Sequence, residues 1–520
     1  MAAQVRDVSP GAARFQTFRQ VVEQHADEQP HATFLLAPEP GVSVTYAELR
    51  RMTRRFGALL RDLRVPEQAV VAFMLPNGHA AATIFIGSMT AGRIVSPINL
   101  LAQDAVLEYT LAHAAPHALF VAPEFFDRLS ALAARIGLKT AILSTDPDHL
   151  VLPEDDTDDV DALGSHSPAM LMYTSGTTGN PKGVLLSHAN MLHAGRTVSA
   201  AHALTPADRV LSSLPLYHIN GQCIGVVSPL VSGGSIVLPH RFSVSRWWPL
   251  VERYRPTWLN VVPTIIAYLL HGPSPTPGQA AAIRAVRFAR SASAPLPPEQ
   301  HRAFEERFAV PVIEAMGLTE CASVAFCNSL DPKERRIGSP GRPIGLEARV
   351  VAPDGRVLPA GERGEIQLRG DNVMIGYYRA PDATAQAVDR DGWLATGDLG
   401  YRDVDGCYYI TGRLKELIIK GGENIAPREI DEALLAHPSV LEGAAVGVAD
   451  PMYGQDILAC VVLKPGATCS EAALREHCER LLGRYKAPRY VRFVAELPKG
   501  ASGKVQRLRL VDLAPSPPRA

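Results

Sequence analysis

The run Tyr173-Thr174-Ser175-Gly176-Thr177-Thr178-Gly179-Asn180-Pro181-Lys182-Gly183 carries four Ser/Thr hydroxyls, three glycines and one lysine. It follows an apolar, strand-like stretch (Ala169, Met170, Leu171, Met172) and precedes a helix-like one (Ala189 to Ala201). Glycines let a backbone approach an anion closely, and free N–H groups in such a loop form a concave nest for phosphate oxygens. The hydroxyls add donors, and Lys182 adds a mobile positive charge. The spacing is not that of the Walker loop, because no Ser or Thr follows the lysine. Composition alone would favour a flexible linker; the strand before the run and the helix after it favour an ordered phosphate loop.

A chain of 520 residues exceeds what one core usually serves, so two or more domains are expected. A net charge of −1 gives no global field toward nucleic acid or an anionic membrane. No stretch approaches the roughly 20 apolar residues of a spanning helix. The seven cysteines include no C-x-x-C pair and read as reduced thiols, and residues 1–30 do not read as a signal peptide, so a cytoplasmic protein is expected. Helical and strand-like stretches alternate from Phe15 to about Pro153: Tyr46 to Leu63 is helical, Val70 to Met74 a strand, His79 to Ala91 helical, Ile94 to Ile98 a strand. Such alternation predicts α/β layers with largely parallel strands. Further strands are expected at 209–214, 235–238, 258–262, 286–290 and 312–315. Between Gly338 and Tyr409 short β-rich pieces separated by Gly, Pro and Asp read as a small antiparallel barrel or sheet. A compact α+β unit follows Gly412, its first helix starting after Pro427. The acidic run Glu154 to Asp159 reads as a solvated connection rather than a metal site.

Other strings follow the loop in order: Ser291-Ala292-Ser293-Ala294-Pro295, Ala315-Met316-Gly317-Leu318-Thr319-Glu320, Trp393-Leu394-Ala395-Thr396-Gly397-Asp398, Gly412-Arg413-Leu414-Lys415, Lys420-Gly421-Gly422-Glu423 and Pro498-Lys499-Gly500-Ala501-Ser502-Gly503-Lys504. Taken with the loop, they resemble the adenylate-forming superfamily of acyl-CoA synthetases, nonribosomal adenylation domains and luciferase. The look is nearest to the oxalate–CoA ligase branch. The resemblance implies an α/β fold: a large N-terminal AMP-binding domain (1–412) of layered α/β subdomains plus a small β-barrel, and a mobile C-terminal α+β domain (413–520) hinged near Lys415.

It also implies ATP, Mg²⁺ and CoA as cofactor and co-substrates, and a small-molecule carboxylate as partner. Thr174, Ser175, Gly176, Thr177, Thr178, Gly179 and Lys182 would cradle phosphates. Ser293, Ala315, Met316 and Gly317 would border adenine, with Met316 standing where relatives commonly carry an aromatic ring. Thr319 would bond the α-phosphate, Glu320 would hold Mg²⁺, Asp398 would accept from the ribose hydroxyls, and Arg413 would reach ribose or phosphate. Lys504 would insert between carboxylate and α-phosphate as the catalytic cation. His218, within Pro215-Leu216-Tyr217-His218, would line the acyl side with Ser291, Ala292 and Gly317, and would act with Thr319 and Lys504 in catalysis. Lys420, Gly421, Gly422 and Glu423 would lie along CoA.

The expected reaction is AMP-forming carboxylate–CoA ligation through an acyl-adenylate. The polar set His218, Asn220, Gln222, Ser291 and Ser293 points to a short or polar acid, with oxalate the leading choice and Arg290 read as a structural ion pair. A medium-chain fatty or aryl acid stays open as substrate, as does an adenylation enzyme loading a separate carrier protein. Oligomeric state is not legible.

Overall fold

The computed structural model describes residues 15–157, 163–174, 181–499 and 505–514. Among them, the N-terminal part is built on two large sheets. In the first, the strands Thr33–Ala37, Ser235–Val237, Arg209–Ser212, Trp258–Val261, Phe288–Ser291 and Val312–Met316 lie side by side in parallel, flanked by antiparallel pieces. In the second, Ala141–Ser144, Ala118–Val121, Val70–Met74, Ile94–Pro97 and Pro168–Thr174 run parallel, and Lys182–Ser187 and Gly376–Tyr377 close one edge antiparallel.

The apolar runs between turns account for these strands, since a parallel sheet covered on both faces needs residues that are apolar throughout. Val70–Met74 is buried at every position. The helix His79–Thr90 is likewise buried from Ala80 to Thr90, which its near-continuous small and apolar sequence permits. Amphipathic Tyr46–Asp62 packs outside it, begun by a capping box in which Thr45 and Glu48 satisfy each other's backbone N–H groups.

The expected phosphate loop is not followed directly by a helix. The unforeseen strand Lys182–Ser187 pairs antiparallel with Pro168–Thr174, with Thr174 opposite Lys182, and the helix His188–Ala201 starts only after it. The apolar residues Val184, Leu185 and Leu186 make that strand sheet-competent. The expected small barrel is a four-stranded antiparallel path, Glu347–Val351, Gly364–Arg369, Leu394–Arg402 and Tyr408–Arg413, whose first and last strands do not pair.

The C-terminal unit has its own core around Ile418, Ile430, Leu434, Ile457, Val461 and Leu474. Its helices Pro427–Leu435 and Glu471–Leu482 pack with the long antiparallel strands Val440–Asp450 and Gly454–Leu463. Arg363 reaches across to Glu429 at 3.1 Å, and Arg428 donates to the Ile410 carbonyl. Glu154, Asp155 and Asp156 are exposed as expected, with Asp155 held by Arg61, while Asp158 and Asp159 lie outside the described residues. All seven cysteines are free thiols and all but Cys469 are buried. No helix among the described residues is long and apolar enough to cross a membrane.

Candidate active site

Thr174 and Lys182 flank the loop expected to bind phosphate, and the Thr174 hydroxyl donates to the Lys182 carbonyl at 3.4 Å. Ser175, Gly176, Thr177, Thr178 and Gly179 lie outside the described residues, and so does Lys504. Lys182 Nζ sits 4.5 Å from the centre of the Tyr377 ring, and the Tyr377 hydroxyl donates to Glu320 Oε1 at 2.9 Å. A cation, a phenol and a carboxylate from three separate segments thus form one line.

Pairing explains it: the short strand Gly376–Tyr377 lies antiparallel on Lys182–Ser187, with Tyr377 opposite Val184. Burial first, then the charge of Glu320, raises the Tyr377 phenol well above its ordinary value, so it stays a donor. Sequence reasoning missed Tyr377. It lies 57 residues from Glu320, and nothing local marks Gly376-Tyr377 as more than an edge strand.

Ala315 and Met316 end the strand Val312–Met316; Ala315 is buried and Met316 half-buried, paired with Phe326. Gly317 then turns so tightly that a Cβ there would meet the Ser323 carbonyl carbon and oxygen at 2.2 Å. This close approach admits only glycine. Thr319 and Glu320 form the following single turn, Thr319–Cys321, and the Met374 N–H ties down the Glu320 carbonyl at 2.8 Å.

Asp398 and Arg413 are opposite partners on neighbouring strands, and Arg413 Nε donates to Asp398 Oδ1 at 2.8 Å. Asp398 is 3% exposed, and its Oδ2 has no partner. A buried carboxylate oxygen left open is what a donor pair such as ribose hydroxyls would complete. Asp398 first, then Glu416 and Glu320, hold the Arg413 guanidinium above its ordinary range.

Among the residues expected to line the acyl group, His218 Nδ1 accepts from the Asn220 N–H at 3.3 Å, and Asn220 Nδ2 donates to Ser293 Oγ at 3.0 Å. Ser293 holds a left-handed φ of 75°, a strained conformation for a residue with a side chain. Ser291 and Ala292 are buried beside it, and Ser291 Oγ has no partner. Asn220 opens a π-helix, Asn220–Val227, a form enriched at functional sites. Arg290 corrects the expectation set for it: no carboxylate among the described residues lies within ion-pair distance, and its nearest polar contact is Asn220 Oδ1 at 3.5 Å.

The segment expected along CoA divides. Lys420 is buried and paired with Asp456 at 2.7 Å, so its charge faces inward. Gly421, Gly422 and Glu423 are exposed at the tip of the hairpin between Ile418–Lys420 and Glu423–Ile425. Lys415 lies on the single turn Leu414–Glu416, between the last strand of the small sheet and this hairpin.

The AMP-binding enzyme pattern matches residues 22–378, and that of the AMP-binding enzyme C-terminal domain matches 429–504. The sulfoacetate–CoA ligase of Cupriavidus necator is 53% identical over 505 residues, covering 96% of this chain and 98% of that protein. The oxalate–CoA ligase of Arabidopsis thaliana is 34% identical, over 89% of this chain and 92% of that one. The crystal structure of ATP-bound MatB from Rhodopseudomonas palustris superposes with a TM-score of 0.87 at 30% identity, covering 96% and 99% of the two chains. The paired Asp398 and Arg413, the Glu320–Tyr377–Lys182 line and these matches agree: the chain belongs to the AMP-binding enzyme family, as an AMP-forming acid–thiol ligase.

Proposed function

We propose that this ligase couples a short acid bearing a second polar or anionic group to CoA, with sulfoacetate the leading substrate and oxalate behind it. The observation that carries the choice is the polar acyl side: the hydrogen-bonded chain His218–Asn220–Ser293 and the open hydroxyl of Ser291. An alkyl tail there would keep the Ser291 hydroxyl unpaired, at about 1–3 kcal/mol, and would bring no partner for the spare capacity of the others. The 53% identity to a sulfoacetate–CoA ligase over nearly the whole chain moves the choice from oxalate toward a sulfonate.

The carboxylate attacks the α-phosphorus of ATP, pyrophosphate leaves, and the CoA thiol then attacks the acyl carbon to release AMP. The first step brings two anions together, which costs roughly 4 kcal/mol for unit charges about 4 Å apart at an intermediate dielectric. Fixed cations and donors meet that cost better than acid–base groups do. In this reading Lys182 and Thr174 hold phosphate, and Asp398, fixed by Arg413, takes the ribose. Thr319 and Lys504 serve the α-phosphate, and His218, Ser291, Ala292 and Gly317 position the acid.

No cluster of three or more His, Cys, Asp or Glu side chains suited to a metal occurs among the described residues. One carboxylate plus phosphate oxygens is the donor set Mg²⁺ usually takes, and Glu320, oriented by Tyr377, fits it. Bound there, Mg²⁺ would neutralise phosphate charge. The exposed Gly421-Gly422-Glu423 tip would meet CoA once the C-terminal domain turns about Lys415, with the boundary near Gly412. A cytoplasmic location accords with seven free thiols.

The test is pyrophosphate release over a panel of acids, with and without CoA: sulfoacetate, oxalate, acetate, the series from butyrate to decanoate, and an aryl acid. We expect the highest kcat/KM for a short acid with a second polar group, and thioester with free CoA. A profile rising with chain length, with no turnover of short polar acids, would overturn the substrate choice. Adenylate formation without thioester on free CoA would favour a carrier-protein acceptor.

A further inference from the structure

Across the first sheet, Ser212, Asn260 and Arg290 stand side by side in register. Asn260 and Ser212 are 0% exposed and Arg290 is 2% exposed. The π-helix Asn220–Val227 roofs this tier closely: a Cβ on Gly225 would lie 2.9 Å from Ser212 Oγ and 3.8 Å from Asn260 Nδ2. The row is therefore polar where a parallel sheet under a helix is normally apolar.

Its hydrogen bonding is incomplete. Asn260 Nδ2 donates to Ser212 Oγ at 3.3 Å, while Asn260 Oδ1 and Arg290 Nε have no partner. A half-turn of the Asn260 amide would let the Ser212 hydroxyl donate to Oδ1 and free the NH₂ group as a donor. Among the described residues the hydrogen-bond partner of Arg290 Nη1 is the neutral Asn220 Oδ1, and Asn220 leads directly to Ser293 and His218 on the acyl side.

Among the described residues, the titratable groups near Arg290 supply no negative charge. Burial raises the Cys327 thiol to about 11, and burial, helped by Arg290 and Arg287, pushes His202 well below its ordinary range. Both are neutral at pH 7. Arg290 itself is lowered by burial only to about 10 and keeps its proton. An unpaired buried guanidinium is costly, and a fold that retains one without a counter-ion is poised to accept an anion.

We propose that Arg290, with Asn260 and Asn220 beside it, is the counter-ion for a second anionic group of the acyl substrate, a sulfonate or a second carboxylate. This rests on the short-acid reading above. Arg290 then decides between dianionic and monoanionic acids, while the reacting carboxylate is handled nearer Ser293 and His218.

The experiment compares wild type, Arg290→Gln and Arg290→Lys with sulfoacetate, oxalate and acetate, measuring KM and kcat for each acid, KM for ATP and the thermal midpoint. Arg290→Gln should raise KM for the dianionic acids by roughly 30-fold or more, the scale of a lost charge-assisted contact. KM for acetate and ATP should stay within a factor of about two, and Arg290→Lys should recover part of the loss. The sulfoacetate and oxalate arms tell sulfonate from carboxylate. Equal loss on acetate and the dianions, or an unchanged dianion KM, overturns the assignment.

If Arg290→Gln fails to fold, Asn220→Asp decides instead. It installs an internal anion at the position now 3.5 Å from Nη1; the new carboxylate also gives up the donation to Ser293 Oγ, so KM rises for every acid, but it should rise several-fold more for the dianions than for acetate. A dianion KM that rises no more than the acetate KM in that variant also overturns the assignment. Wild type that turns over acetate but no short dianion rejects the substrate reading and Arg290's role with it. Wild type that prefers dianions beside an indifferent Arg290→Gln rejects Arg290 alone.

Discussion

Removing one oxygen tests the Tyr377 line. In Tyr377→Phe the ring remains to face Lys182 at 4.5 Å, and the backbone N–H still donates to Thr384 Oγ1 at 2.9 Å. Only the 2.9 Å donation to Glu320 Oε1 is lost. A hydrogen bond to a charged group contributes about 1.5–3 kcal/mol, and Tyr377 and Glu320 are both half-buried, so the lower end applies. About 1.5 kcal/mol is roughly tenfold in an equilibrium constant. If Glu320 holds Mg²⁺, the released carboxylate loses its orientation, and the apparent KM for Mg²⁺ at saturating ATP should rise by about that factor. The assay is initial-rate pyrophosphate release against Mg²⁺, with conversion of supplied acyl-adenylate to thioester as the control that should not move. Tyr377→Leu removes the ring as well and should add a rise in KM for ATP through Lys182. The reasoning fails if Tyr377→Phe leaves the Mg²⁺ dependence unchanged, or if both half-reactions fall together.

Asp398→Asn should raise KM for ATP by roughly 10- to 100-fold, because it uncouples Arg413 and weakens the open Oδ2 acceptor. The discrimination between ATP and 2′-deoxy-ATP should shrink with it, and an unchanged ratio would remove Asp398 from the ribose. His188, the first residue of the helix His188–Ala201, is held down to about 4 from 6.5 by burial first and Arg19 second, with Nδ1 accepting from the Phe18 N–H. The folded state therefore refuses a proton that the unfolded chain accepts. Its contribution is complete above about pH 6.5 and is lost as pH falls toward about 4, amounting to about 3 kcal/mol over the window. Denaturant midpoints at pH 7.5 and 4.5 should differ less in His188→Gln than in wild type. Equal slopes would show that another group sets the acid limit.

Local pattern carried much of this protein. The apolar runs at 70–74, 258–261 and 312–316 and the amphipathic stretch from Tyr46 could be read as strands and helix because side-chain period is a property of neighbours along the chain. The order of the motifs likewise pointed to the family without any tertiary knowledge. Other features depended on which segments meet. Lys182–Ser187 became a strand because Pro168–Thr174 offers it a partner, and Tyr377 came to Glu320 only because a short edge strand lies down on Lys182–Ser187. The sequence shows that Lys420 and Arg290 are cations, but not that Asp456 neutralises the first while the second has no carboxylate beside it among the described residues. Charge compensation is a three-dimensional sum over every element packed against a group, so no reading of neighbours along the chain supplies it.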